Sequence, residues 1–330
     1  MRRILKSIVI LAGILPLSYS CNQTEMENRP GHIAVNFIAG QIRDLDQTRS
    51  AYIDGQFQWC STDTVGIYPN QGSQIFFSMA DGAGTSSATF DGGGWGFRTN
   101  AVYYSYYPFI ADFYLNRNHI PVSLKGQVQN GPSNLDHFGK YDYMYTPSAK
   151  ADNGQLNFYY NHLVCIIRVT ATLPAGSYRQ ITITAPTEAF VQEGYFDLQS
   201  ESPHIIATSS SQELTIAFKN PITVNGNEQF LAYLISAPAN LKGVELTVSA
   251  VDINEKQFDC IKTPSKNYEP SNLYGLGCTS WTEVPLTVTL AENAGSNGGY
   301  DPVGNGGDFT WGNDIEINPG GIGNDFSWGN

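Results

Sequence analysis

The groups with which this chain could do chemistry are five histidines, five cysteines and thirty acidic side chains. His32, His119, His137, His162 and His204 stand far apart, with no His-x-His and no His-Glu-x-x-His, so the sequence spells out no metal cage. No Gly-x-Ser-x-Gly, Ser-x-x-Lys or Cys–His signature marks an activated nucleophile. Carboxylates are plentiful, but a hydrolytic pair is assembled by a fold rather than by spacing, and none stands out here. The run Asp91-Gly92-Gly93-Gly94-Trp95-Gly96-Phe97 lacks the lysine and the following helix of a phosphate loop and reads as a glycine-rich hairpin. The chemistry therefore points away from an enzyme, with no cofactor and no metal expected.

Two other sets of residues carry a functional reading. Trp95 and Tyr106, within an aromatic run that extends to Phe109, offer flat rings suited to stacking on a sugar, and equally to cross-strand packing. Cys60, Cys165, Cys260 and Cys278 are even in number, which permits two disulfides in an oxidising compartment; Cys260 with Cys278 closes the shortest loop. Four thiols buried as small apolar groups is the other reading, and it suits Cys165 within Leu163-Val164-Cys165-Ile166-Ile167. There is no Cys-x-x-Cys.

The elements that must position these residues are strands. With 15% charged residues, 33 glycines and 19 tyrosines, the composition favours strands and turns over solvated helices, and 330 residues are about twice one domain. A net charge of -12 has the wrong sign for following a phosphate backbone, which excludes nucleic acid as a partner. Alternation at period two begins at His32–Ala39. It recurs at Phe57–Trp59, Thr64–Tyr68, Gln74–Phe77, Ala101–Tyr107 and Gln155–Tyr159, then at Leu163–Ala171, Gln180–Thr184, Gly194–Leu198, Glu213–Phe218, Gln229–Ile235, Val244–Val251 and Leu286–Leu290. No stretch sustains a fifteen-residue helical period, so two consecutive β-sandwiches are expected, over 31–155 and 156–290.

Both ends depart from this pattern. Residues 1–20 combine Arg2, Arg3 and Lys6 with the apolar run Ile8–Leu17 and a small-residue approach to Cys21, the layout of a secretory signal peptide too short to span a membrane. A polar tether over 21–30 follows, and the whole is similar to a bacterial lipoprotein signal, which implies a lipidated, palmitate-bearing Cys21; plain secretory cleavage is the other reading. Residues 291–330 form a Gly/Asn-rich tail that cannot build a core. Within it, Asp308-Phe309-Thr310-Trp311-Gly312-Asn313 recurs as Asp325-Phe326-Ser327-Trp328-Gly329-Asn330. Phe309, Trp311 and the alternating Ile315 and Ile317 make a candidate donor strand for an acceptor groove in another subunit.

The order of several features resembles the fimbrillin family of Bacteroidetes lipoproteins, the type V pilins. They are Cys21, the first strand from His32, Thr48-Arg49-Ser50, Trp59 followed by Asp63-Thr64-Val65-Gly66-Ile67-Tyr68, Tyr106-Tyr107-Pro108-Phe109, Phe158 with His162-Leu163, and Glu269-Pro270-Ser271-Asn272-Leu273-Tyr274. The resemblance implies two transthyretin-like β-sandwiches, an outer-membrane lipoprotein at the cell surface or in a fimbrium, and other fimbrial subunits as partners. It also implies cleavage by an Arg-directed protease, at Arg49 or alternatively Arg43, releasing the first strand so that a neighbour's strand fills its place. The long tail leaves shaft, tip and accessory roles open, with host or bacterial surface ligands as further partners. A surface glycan-binding lipoprotein is the alternative function.

Overall fold

In the computed structural model, the described residues are 32–36, 43–44, 58–92, 97–98, 101–112, 115–151, 155–226 and 228–292. They form an all-β sandwich fold in four sheets with a single helical turn, α1 (Phe138–Tyr141). In chain order the strands of the first half are β1 (His32–Asn36), β2 (Arg43–Asp44), β3 (Thr64–Pro69), β4 (Ile75–Asp81), β5 (Ser87–Asp91), β6 (Val102–Tyr107), β7 (Ile120–Ser123), β8 (Gln127–Gln129), β9 (Met144–Lys150), β10 (Leu156–Phe158) and β11 (Asn161–His162). The second half supplies β12 (Cys165–Thr172), β13 (Gly176–Thr184), β14 (Phe190–Phe196), β15 (Ile206–Ser211), β16 (Glu213–Val224), β17 (Gln229–Ser236), β18 (Leu246–Asp252), β19 (Gln257–Lys262), β20 (Asn272–Cys278) and β21 (Thr282–Val284).

An eight-stranded sheet runs β10-β1-β5-β4-β3-β6-β9-β11, and a four-stranded sheet runs β17-β12-β20-β2. The order β21-β19-β18-β13-β16-β8 makes a third sheet, and β15-β14-β7 a fourth. Successive side chains of a strand point to opposite faces, and the four-stranded sheet uses this to serve two cores at once. Ile166, Tyr233, Ile235 and Leu273 enter the first hydrophobic cluster. Their neighbours Cys165, Ile167, Ala232, Leu234, Tyr274 and Leu276 enter the second. The strands that show as unbroken apolar runs in the sequence are therefore those covered on both faces.

Trp59 anchors the first core, with Phe90, Tyr107 and Tyr160 set edge-on at 5.1, 5.5 and 5.8 Å. Edge-to-face contacts of this kind complement the charge distribution of the rings. Gly66 in β3 lies opposite Tyr106 in β6, and a Cβ there would fall 2.1 Å from the ring. The ring packs directly on the backbone of its neighbouring strand, a position only glycine allows.

Two expected strands are not strands. Gln58 and Trp59 lie in an irregular segment, because Trp59 ties its backbone N–H to Thr85 and its carbonyl to Gly84 in a turn rather than to a ladder. Leu286–Leu290 is likewise irregular, following Pro285, and the strand of that region is β21 just before it. There the backbone N–H groups of Thr287 and Val288 are taken by the side chain of Gln257.

Candidate functional site

The feature with functional potential is the way the eight-stranded sheet is completed. β1 lies inside that sheet, antiparallel to β5 with Ile33 opposite Phe90 and Val35 opposite Ala88. On its other side it runs parallel to β10, with Ile33 opposite Leu156 and Val35 opposite Phe158. Behind these flanking strands stand Phe90, Leu156 and Phe158, all fully buried, and Ala88 at 4% exposure. A strand removed from this place would leave two unpaired ladders and bare the apolar layer beneath them, which water satisfies poorly.

By Arg43 the chain has reached the second half, where β2 adds in parallel to β20 by pairing Arg43 with Asn272 and Asp44 with Leu273. The segment from β1 to β2 thus bridges both halves through backbone pairing at its two ends. Arg43 is engaged in a ladder. Arg49 lies outside the described residues, as do Cys21, Trp95, Phe309, Trp311, Ile315 and Ile317.

Tyr106 corrects the sugar-stacking expectation. Its ring is fully buried, its hydroxyl donates to Gln74 Oε1 at 2.6 Å and accepts from the Ile110 N–H at 3.2 Å, so neither ring face is open to a saccharide. Cross-strand packing consumes it. Cys260 and Cys278 are both buried in the second core and are free thiols. Cys165 is buried with its thiol donating to the Ser236 carbonyl, while Cys60 is exposed.

The structure also assembles a polar cluster that no sequence motif marks. Nδ1 of His162 and Oδ1 of Asp142 share a hydrogen bond of 2.5 Å with both side chains excluded from solvent. Burial raises the Asp142 carboxyl above its ordinary range, and the adjoining imidazole pulls it part of the way back. Nearby, Tyr107 donates its hydroxyl to Asp63 Oδ1 at 2.9 Å, and the Cys60 N–H donates to Asp63 Oδ2 at 2.7 Å. Desolvation raises Asp63 as well. Burial and the Asp63 charge raise the Cys60 thiol too, the opposite of what a nucleophilic cysteine needs. The cluster serves to fix Asp63 and the β6–β9 end of the sheet. Among the described residues no group of three or more His, Cys, Asp and Glu side chains could hold a metal ion.

At the junction of the halves, Gln127 and Gln129 project from β8 on the same side, 1% and 0% exposed. Gln127 Nε2 donates to the Ile235 carbonyl at 2.7 Å, and its Oε1 accepts from the Ile235 N–H at 2.8 Å. Gln129 does the same for the Leu231 carbonyl and the Tyr233 N–H, both at 2.9 Å. His137 Nε2 donates to the Tyr233 carbonyl at 2.9 Å. The outer edge of β17 is therefore sealed by side-chain amides in place of another strand. The period-two pair Gln127-Val128-Gln129 was the one sequence signal for this arrangement. Nearby, a cleft of about 450 Å³, bordered by Lys125, Gln192, Glu213, Thr215 and Glu292, opens where the described chain ends.

A model of fimbrillin-like proteins matches residues 48–290. The chain belongs to the fimbrillin-like family. No curated protein matches it. Among solved structures, this fimbrillin-like chain is similar to a putative cell adhesion protein from Bacteroides uniformis at 14% identity, over 71% of this chain and 95% of that one, with a TM-score of 0.47. A second such protein, from Bacteroides ovatus, is 14% identical over 78% of this chain and 96% of that one, with a TM-score of 0.48. The tip fimbrial protein Mfa3 from Porphyromonas gingivalis is 12% identical over 77% of this chain and 99% of that one, with a TM-score of 0.35. No helix among the described residues of this fimbrillin-like protein is long and apolar enough to cross a membrane.

Proposed function

We propose that this fimbrillin-like protein is a structural, tip or accessory adhesin subunit of a fimbrium, exported as an outer-membrane lipoprotein through Cys21 and assembled by protease-triggered strand exchange. The observation that carries the reading is the interior position of β1, held between β5 and β10 by backbone pairing and joined to the rest of the chain through the segment that contains Arg43 and Arg49. Cleavage in that segment frees β1 to dissociate. The vacated slot then presents two unpaired ladders over Phe90, Leu156 and Phe158, and a neighbour's strand with alternating apolar side chains restores both.

The geometry supports Arg49 over Arg43 as the processing site. A protease binds its substrate as an extended, unpaired backbone, and Arg43 already spends its backbone on Asn272. The donor proposed is the tail segment with Phe309, Trp311, Ile315 and Ile317, whose period-two isoleucines match the alternation of the strand replaced. Other subunits are thus the partners, and the exposed surface of the assembled polymer meets host or bacterial ligands.

The test is treatment of the chain lacking residues 1–20 with an Arg-specific protease, following the new N-terminus and the oligomeric state together. Cleavage after Arg49 with ladders that resist dodecyl sulfate is the expected result. Cleavage without polymers assigns a tip or accessory subunit that accepts a strand and donates none. A monomer that resists cleavage overturns the reading.

A further inference from the structure

Cys260 and Cys278 belong to different sheets of the second core. Cys260 sits in β19 opposite Val248 of β18, and Cys278 ends β20 opposite Ala171 of β12. The chain itself brings them together. After Cys278 it crosses between the sheets through Thr279, Ser280 and Trp281 and pairs again as β21, with Thr282 opposite Asp259, the residue before Cys260. The Trp281 indole N–H donates to the Cys278 carbonyl at 3.2 Å and fixes the crossing. Both side chains lie in the second hydrophobic cluster, 4% and 0% exposed.

We propose that Cys260 and Cys278 are the partners of an inter-sheet disulfide in the mature protein. The statement for the cell rests on the export reading above, since a cytosolic chain would keep both thiols reduced. A specific structural need attends it. β20 is paired along its length with β12, but among the described residues only Arg43 and Asp44 meet its outer side. Cleavage after Arg49 would release those two residues with the leader and leave β20 as a bare edge strand. A covalent link from its last residue to β19 holds that edge in the mature subunit.

The reaction is thiol–disulfide exchange with a donor disulfide, either an oxidised thiol oxidoreductase or oxidised glutathione. One cysteine thiolate attacks the donor, forming a mixed disulfide and expelling one donor thiol. The second thiolate attacks the protein sulfur of that intermediate, closing the Sγ–Sγ bond and expelling the other. Two electrons and two protons pass from the pair to the donor. Burial, with the neighbouring thiol adding to it, raises the Cys278 thiol well above its ordinary value, so thiolate is scarce once the core has closed. The bond therefore forms while the chain folds and is shielded from reductant afterwards.

The full chain, refolded from guanidinium with oxidised and reduced glutathione, alkylated and digested without reduction, reads the pairing directly. The expected product is a Cys260–Cys278 peptide pair lighter by two hydrogens, formed with native-like yield, and reduced only when denaturant accompanies the reductant. Refolding the same chain under reducing conditions should lower its Tm by roughly 5–10 °C; Cys278→Ser should abolish that difference. Alkylation of both thiols after oxidative refolding overturns the pairing, whatever the serine variant does. The same digest on protein released from its own cell envelope separates the two claims: a bridge there supports both, whereas free thiols there with a bridge in the refolded chain overturn the export reading and leave the pairing standing.

Discussion

The eight-stranded sheet is completed by β1, a strand drawn from far upstream and held by backbone pairing to β5 and β10, whereas the outer edge of β17 in the second half is closed by side chains. Gln127 and Gln129 occupy the outer edge of β17. Gln257 and Gln180 fasten the irregular stretch from Thr287 to Ala291. The difference matters because a backbone ladder asks only for a strand of the right alternation, and any chain can supply one. An amide latch asks for a particular side chain at a fixed place. The first kind of closure can be exchanged between molecules; the second cannot.

The comparison breaks most directly at β1. Deleting His32–Asn36 should cost on the order of 5 kcal/mol or more, through unpaired backbone groups and exposed apolar surface, and a synthetic peptide of residues 31–42 should restore the unfolding midpoint. An unchanged midpoint, or a peptide without effect, would remove the case for exchangeability. Next in size, Gln127→Leu with Gln129→Leu leaves the β17 edge buried and unpaired, and should cost about 3–5 kcal/mol in guanidinium unfolding. No added peptide should rescue that variant, because no slot is open there.

Protonation sharpens the same edge. Burial lowers His137 from 6.5 to about 4, since Nε2 already donates to Tyr233 and a proton on Nδ1 would find no acceptor. The folded state therefore binds fewer protons than the unfolded one, so this contribution is present above pH 6.5 and is lost as pH falls towards about 4. Urea unfolding across that window should lose up to about 3 kcal/mol, and His137→Gln should flatten the loss. The smallest effect belongs to the ion pair of Lys125 with Glu193, 2.7 Å apart but about half exposed on both sides. Lys125→Ala should change stability by less than about 0.5 kcal/mol, and a larger loss would mean that charge, rather than amides, fastens the halves.

Strands were legible in β3, β6, β12, β16 and β18, where an apolar face or run stands out, whereas β5, β7 and β20 were not read despite their buried faces. Strands were also illegible where polar residues form them, as in β15 with its Ala-Thr-Ser-Ser-Ser, since hydrophobic periodicity is the signal being read. Leu286–Leu290 misled because its alternation is real but its backbone partners are the Gln180 and Gln257 side chains. Tyr106 carried two readings, since an aromatic that suits a sugar suits a buried strand pair as well, and Gly66 opposite it decides for the packing.

The sequence by itself determined that the chain is all β and acidic, because composition, charge and period-two alternation are local properties. It also placed the first strand at His32. Only the tertiary structure decided that this strand lies inside a sheet rather than at its rim, that the four-stranded sheet feeds two cores, that Asp142 meets His162, and that Cys260 and Cys278 enter the same core. The residues of each of these two pairs lie 18 or more positions apart. Pairing across such distances is fixed by which strands become neighbours, and strand order depends on how the whole chain buries its apolar faces.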